Sequence, residues 1–270
     1  MLGLGNTLAG GAPPTGFEDP TSIASLRIWY KHDSGMVTAA GETSAAGNID
    51  NGDQIIRWED QSGQGNHAVQ STGADCPKYN NNGATDGSLN FTGVKWFDLT
   101  SALDIAENED FTFVMNVKFF DDAERGLFGH DGSNFLARMG ATNTRTFRVL
   151  ISDATASDFI EASDTIPSNS TFGSANYYSI MLIRSGGNGT LNLYVDNVNN
   201  GDDYTNKQWG ATNGADGAVD AQQFDISNIG CKADDQGELK GWVRHWSYYN
   251  EAISDEDRAN LFTYLSNIGS

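Results

Sequence analysis

The sequence predicts an all-β chain: a two-sheet antiparallel sandwich with one short C-terminal helix. Three observations carry this expectation. Short runs with period-two alternation recur along the chain, turn residues separate them, and helical periodicity shows only at the end. The turn signal is also compositional. Glycine reaches 31 residues against 5 prolines, and runs such as Asn80-Asn81-Asn82-Gly83 and Asn199-Asn200-Gly201-Asp202 consist of residues that tolerate positive φ.

Residues 1–24 are rich in Gly, Pro, Thr and Ala and show neither periodicity, so they read as an extended arm or, equally, a frayed terminus. Residues 25–270 then form one domain, because a chain of 270 residues with 38% apolar content can fill one large core. The first strand is Leu26-Arg27-Ile28-Trp29-Tyr30. From Phe111 to Phe119 every odd position is apolar, while Thr112, Asn116 and Lys118 lie opposite with Val114 as the exception. That pattern predicts one face on the core and the other on solvent or polar surroundings. Further strands are expected at 146–151, 177–184, 191–195, 224–229 and 243–249. The segment from Asp196 to Asp220 is the longest polar stretch and reads as a functional or a disordered connection. The helix begins after Ser254, which caps Asp255-Glu256-Asp257; Leu261, Phe262, Tyr264, Leu265 and Ile268 form its apolar side, expected to pack on the sandwich.

The formal charge is −20. Such a field opposes nucleic acid and anionic lipid, and fits high salinity or bound cations. Cys76 and Cys231 make no C-x-x-C pair and are expected as reduced, buried thiols. Met1 to Pro14 holds no Lys or Arg and so lacks the charged region of a secretory signal. No apolar run has membrane-spanning length, so no membrane insertion is expected.

Several strings resemble the laminin-G-like jelly rolls of the concanavalin A-like lectin and glucanase superfamily. Trp58-Glu59-Asp60-Gln61-Ser62-Gly63-Gln64-Gly65-Asn66-His67-Ala68 is similar to the W-x-D-x-S-G-x-G-N-x-A signature. In it Asp60 and Ser62 can cap turn amides, while Gly63 and Gly65 accept positive φ. Leu89-Asn90-Phe91-Thr92-Gly93, the strand from Phe111, Leu191 to Asp196, and the ending from Leu239 through Glu256 resemble further family elements in the family's order. The resemblance implies a concanavalin A-like jelly roll over nearly the whole chain after the arm. Met1-Leu2-Gly3-Leu4-Gly5-Asn6 also resembles the start of structural proteins of tailed phages of marine bacteria.

Glucanases of that superfamily carry E-x-D-x-x-E or E-x-D-x-E on one strand, which aims the acids into one groove. The chain has no such string; Glu107-Asn108-Glu109-Asp110 comes nearest and falls in a turn. His32, His67, His130 and His245 lack zinc-ligand spacing, and His245 is expected to make a structural hydrogen bond. No catalytic residue is assigned, and the chain is expected not to be an enzyme. Calcium is the one cofactor the loops could hold, at Asp121, Asp122, Asp202, Asp203, Asp216 and Asp220, though no complete ligand loop forms. For sugars, Tyr204 and Trp209 offer stacking faces, and Asp202, Asp203 and Asp216 offer hydroxyl acceptors.

These readings lead to an expected virion surface protein, a capsid decoration or fibre-like component. Its partners would be other virion proteins of capsid or tail, host surface glycans, and a further copy of itself. The rivals are a carbohydrate-binding or adhesion module, extracellular or at the cell surface, and a divergent glucan hydrolase or lyase.

Overall fold

The computed structural model describes residues 16–43, 49–80, 87–106, 109–120, 125–129, 135–139, 146–152, 159–165, 177–186, 190–197, 207–210, 212–213, 224–231 and 238–268. In chain order the strands are β1 (Leu26–Tyr30), β2 (Met36–Thr38), β3 (Ile55–Trp58), β4 (Ala68–Val69), β5 (Lys78–Asn80), β6 (Ser88–Asn90), β7 (Phe97–Ile105), β8 (Phe111–Phe119) and β9 (Arg125–Gly129). They continue as β10 (Phe135–Met139), β11 (Thr146–Ser152), β12 (Phe159–Thr165), β13 (Tyr178–Ser185), β14 (Thr190–Asn197), β15 (Lys207–Gly210), β16 (Thr212–Asn213), β17 (Phe224–Ile229) and β18 (Gly241–Tyr249), followed by helix α1 (Asp255–Ser266).

The strands form the two antiparallel sheets that the sequence predicts. The first runs β15-β14-β13-β8-β18-β6-β5, with β1 also paired to β18; the second runs β16-β12-β11-β10-β9-β17-β7-β4-β3-β2. β6 and β1 flank β18 end to end, since Leu89 pairs with Val243 and Tyr30 with Trp246. Between the sheets the inward side chains interlock as rings. Tyr30 lies 5.4 Å from Trp58 and 5.6 Å from Trp246, and Phe113 lies 4.9 Å from both Phe128 and Tyr248. Trp58 and Phe128 come from the second sheet, so aromatic contact joins the two layers.

The segment 196–220 departs from a plain connection, because β14 extends to Asn197 and β15 and β16 lie within it. Strand pairing uses backbone groups, so a polar composition did not prevent short edge strands here.

The outer face of β8 also departs from expectation: all nine residues are buried. A third layer covers that face. Val114, Met181, Ile183, Tyr194 and Tyr249 form an apolar cluster with Leu261, Phe262, Leu265 and Ile268 of α1 and with Phe17, Ile23, Leu26 and Trp29. Val114, the exception in the alternation, therefore belongs to this second core. The helix starts as read, with Ser254 Oγ accepting from the Asp257 amide at 3.0 Å. Arg244 fixes its far end by donating to the Ile268 carbonyl at 3.0 Å.

Polar residues under this layer pair with one another. Ser179, Asn116 and His245 sit side by side in register, and Asn116 Nδ2 donates to Ser179 Oγ at 3.0 Å. His245 is fully buried; its Nδ1 accepts from Trp29 Nε1 at 3.3 Å, so Nε2 carries the proton and faces Ser247 Oγ at 2.9 Å. This is the structural hydrogen bonding expected of His245. Cys76 and Cys231 are buried and not joined in a disulfide. In the turn before β8, Arg184 holds the chain by donating to the carbonyls of Glu109 at 2.6 Å and Ala106 at 3.0 Å.

The Asp60 carboxylate ties the sheets together at one edge. It accepts from the Trp29 amide at 2.9 Å, the Ser62 amide and hydroxyl at 2.8 Å each, and the Asn66 amide at 3.2 Å. Asn66 in turn accepts from the Ser101 amide at 3.0 Å and donates to the Ser101 carbonyl at 2.8 Å, reaching β7. Asp60→Ala leaves several of these donors without an acceptor and is expected to cost about 3 kcal/mol, read from urea unfolding. An unchanged midpoint would exclude this role.

Burial, and secondarily the nearby His32, lowers the His245 pKa from 6.5 to about 3. Its stabilising contribution is therefore complete above pH 6.5 and is lost as pH falls toward 3, because only the unfolded chain takes up the proton in that window. Between pH 6.5 and 5, His245→Gln should flatten the stability-against-pH slope by about 1 kcal/mol per unit. Parallel slopes in chemical denaturation would show that His245 does not titrate in this way.

Candidate functional site

A cleft of about 290 Å³ opens where α1 meets the exit of β1, lined by Phe17, Glu18, Lys31, His32, Asn260, Tyr264, Asn267 and Ile268. Three separate pieces of chain build it. On the helix wall, Asn260, Tyr264 and Asn267 recur at the three-to-four-residue spacing that places side chains on one helix face. Their neighbours Leu261 and Leu265 are spent on the sheet.

The second wall is the turn after β1. Trp29 and Lys31 share a face by strand alternation, and Lys31 Nζ sits 5.5 Å from the centre of the Trp29 ring. The turn is rigidly held. Trp58 Nε1 donates to the carbonyls of Lys31 at 3.0 Å and Ser34 at 3.2 Å, and Tyr79 donates its hydroxyl proton to Asp33 Oδ1 at 2.7 Å. Phe17 and Glu18 close the third side. Phe17 is anchored in the second core, and the following turn is set by Asp19, whose Oδ1 accepts from the Thr21 amide at 2.9 Å.

Below the cleft Tyr264 stands edge-on to Trp29 at 6.3 Å and to His245 at 6.1 Å. Burial, then the charge of Asp19, drives the Tyr264 phenol well above its ordinary range, so it stays a neutral hydroxyl at physiological pH. Asn260 is 7% exposed, and its side-chain amide has no hydrogen-bond partner among the described residues. The cleft thus joins two aromatic rings, two amides, a cation, an imidazole and a carboxylate. Such a set can hold a small ligand rich in hydroxyl groups.

Of the sequence-predicted site residues one is described, and it lies elsewhere. Trp209 falls in β15 opposite Leu193, at the edge of the first sheet remote from β1. Five strand steps separate the two, about 24 Å at ordinary strand spacing. Tyr204, Asp202, Asp203 and Asp216, and the further calcium candidates Asp121, Asp122 and Asp220, lie outside the described residues. Among the described residues no group of three or more His, Cys, Asp or Glu is placed to hold a metal ion. The cleft residues were missed because they come from three distant stretches. Their one sequence signal is the pair Asn260 and Asn267 at helical spacing around Tyr264, which the sequence places on the apolar side of α1.

No protein-family model matches the chain, and no curated protein matches it in sequence. Solved structures do share its fold. The binding domain of botulinum neurotoxin DC in complex with SialylT superposes with TM-score 0.56 at 9% identity, over 89% of this chain and 52% of that one. An arabinofuranosidase complexed with arabinofuranosyl-alpha-1,2-xylobiose gives 0.54 at 12% identity, over 90% and 59%. A GH54 α-L-arabinofuranosidase soaked with a cyclic sulfate inhibitor gives 0.53 at 14% identity, over 90% and 59%. The chain therefore spans less than two thirds of each of these proteins.

The expectation of a chain that is not an enzyme is corrected by these neighbours, two of which are arabinofuranosidases. A missing one-strand acid string excludes only sites whose acids all lie on one strand. Acids carried on separate strands and loops meet only in the folded protein, and one fold hosts binding and catalysis alike. At these identities the likeness is one of fold: the chain is a two-sheet antiparallel β-sandwich of the kind these structures share, with a C-terminal helix laid across its first sheet.

Proposed function

We propose that this chain binds glycans and that a sugar ring docks in the cleft beside α1. The observation that carries the reading is Asn260, a buried amide with no partner among the described residues, opening into a cleft beside Phe17 and Tyr264. The amide opens onto the cleft, where ring hydroxyls would take the place of water as its hydrogen-bond partners. Pyranose rings offer an apolar face to aromatic side chains and a polar edge to amides, which is the division found here. The fold supports the reading, since one neighbour is a binding domain in complex with SialylT and another holds an arabinofuranosyl xylobiose. A second contact, through Trp209 and the segment bearing Asp202, Asp203, Tyr204 and Asp216, belongs to the same proposal.

The finer reading puts the chain on the surface of a tailed-phage particle, as a decoration or fibre-like component touching host glycans. Its support is the resemblance of Met1 to Asn6 and the acidic balance of −20. An extracellular or cell-surface adhesion module is the other form of the same glycan reading. Among the described residues no helix is long and apolar enough to cross a membrane.

On a glycan array the purified chain is expected to retain at least one class of sugar. Asn260→Leu should abolish that retention while the thermal midpoint stays within a few degrees, because the side chain is polar and borders open space. Retention of nothing by the wild type, or full retention by Asn260→Leu, would sink the cleft reading. For the finer reading, the protein should be detected by mass spectrometry in purified virions of its source; its absence from them would leave the adhesion module.

A further inference from the structure

We infer that the cleft selects a sugar ring bearing one anionic group, a carboxylate or a sulfate ester; this rests on the glycan-binding reading of the same cleft. Lys31 carries the inference. It is half-buried in the cleft wall, and its ammonium makes no ion pair or hydrogen bond among the described residues. That is unexpected in a chain with 36 acidic residues against 16 basic ones, where acceptors are plentiful. The other part-buried cations show the contrast. Arg57 pairs with Glu59 at 2.7 Å, Arg258 bonds Asp255 and Tyr194, Lys95 donates to the Ala74 carbonyl at 2.9 Å, and Arg244 donates to the Ile268 carbonyl at 3.0 Å.

The Trp29 ring, with its centre 5.5 Å from Nζ, orients the ammonium without neutralising it. All three ammonium donors stay available to a ligand. Trp29 is itself fixed, by Asp60 through its amide and by His245 through its indole, so the cation is held in place before any ligand arrives. None of the nearby acids pairs with it: Asp19 accepts from Thr21, Asp33 accepts from Tyr79, and Glu18 is exposed at the rim, where solvent screens its charge.

At about 290 Å³ the cleft falls just under the roughly 300–1,000 Å³ that drug-sized ligands fill, room for one ring within its walls. An anionic oxygen would accept from Lys31 on the β1 side. Ring hydroxyls would meet the Asn260 amide on the helix side, and the apolar ring face would lie on Tyr264 or Phe17. Charge-assisted hydrogen bonds are about twice as strong as neutral ones, so the anionic ring should bind about tenfold more tightly than its neutral counterpart.

The test is calorimetric titration of the whole chain with methyl glycosides of glucuronate, galacturonate and N-acetylneuraminate and of a sulfated glucose, against those of glucose and galactose. At least one anionic ring should bind about tenfold more tightly than the neutral rings, and the gap should close as salt is raised from about 50 to 500 mM. The carboxylate and sulfate arms identify which anion is taken. Lys31→Gln should bring the ratio of anionic to neutral affinity to about one and remove its salt dependence, with the thermal midpoint unchanged. Equal binding of neutral and anionic rings, or a preference that survives Lys31→Gln, would overturn the inference and leave the glycan reading standing. Binding of no ring at all would overturn both.

Discussion

A single buried carboxylate holds together the part of this protein on which the rest depends. Asp60 stands in the loop between β3 and β4 of the second sheet, yet it accepts the Trp29 amide of β1 in the first. It also organises its own loop through Ser62 and Asn66, and Asn66 carries the connection to β7. Tyr30 donates its hydroxyl proton to the Asn66 carbonyl at 2.7 Å, and the Gln61 amide donates to the Trp29 carbonyl at 2.7 Å, so β1 is tied to this loop at three points. Charged acceptors make stronger hydrogen bonds than neutral ones, and a buried charge persists only where several donors share it. The edge of the sandwich is thus fixed by polar geometry, while its centre is fixed by aromatic packing.

Fixing β1 has consequences one layer further out. Trp29 points away from the inter-sheet core into the second core beneath α1, where its indole donates to the buried His245. Tyr264 of the helix packs edge-on against both rings. The floor of the cleft is therefore a neutral aromatic layer pinned where the Trp29 indole meets His245, while Lys31 and Asn260 stand in the walls above it. Asn116 and Ser179 answer one another across strands beneath this layer, whereas Lys31 and Asn260 face the cleft.

The sandwich itself is neutral as to what it does. Neighbours with this fold include a toxin's binding domain and arabinofuranosidases, and a layered β-sandwich supports either role because strands set the frame while loops, turns and the added helix supply chemistry. In this chain the described chemistry gathers where the frame meets its additions, at the exit of β1, the segment around Phe17 and the face of α1.

Much of the frame follows from the sequence by itself. Alternation over Phe111 to Phe119, the caps at Ser254 and Asp60, and the glycine-rich turns act over a few residues, and such short-range rules gave strands, helix start and sandwich class. The resemblance around Trp58 to Ala68 found its physical basis in the donors that gather on Asp60. What only the tertiary structure decided is which polar side chains are used up. Val114 broke the pattern of β8 because the helix covers that face, a fact no local window contains. Lys31 and Asn260 stand 229 positions apart in the sequence and meet only because α1 crosses the first sheet beside β1. Local composition, which favoured the segment around Tyr204 and Trp209, reports where loops are polar. It does not report where a polar group has been brought into a cleft without a partner, because that depends on contacts between residues far apart in the chain.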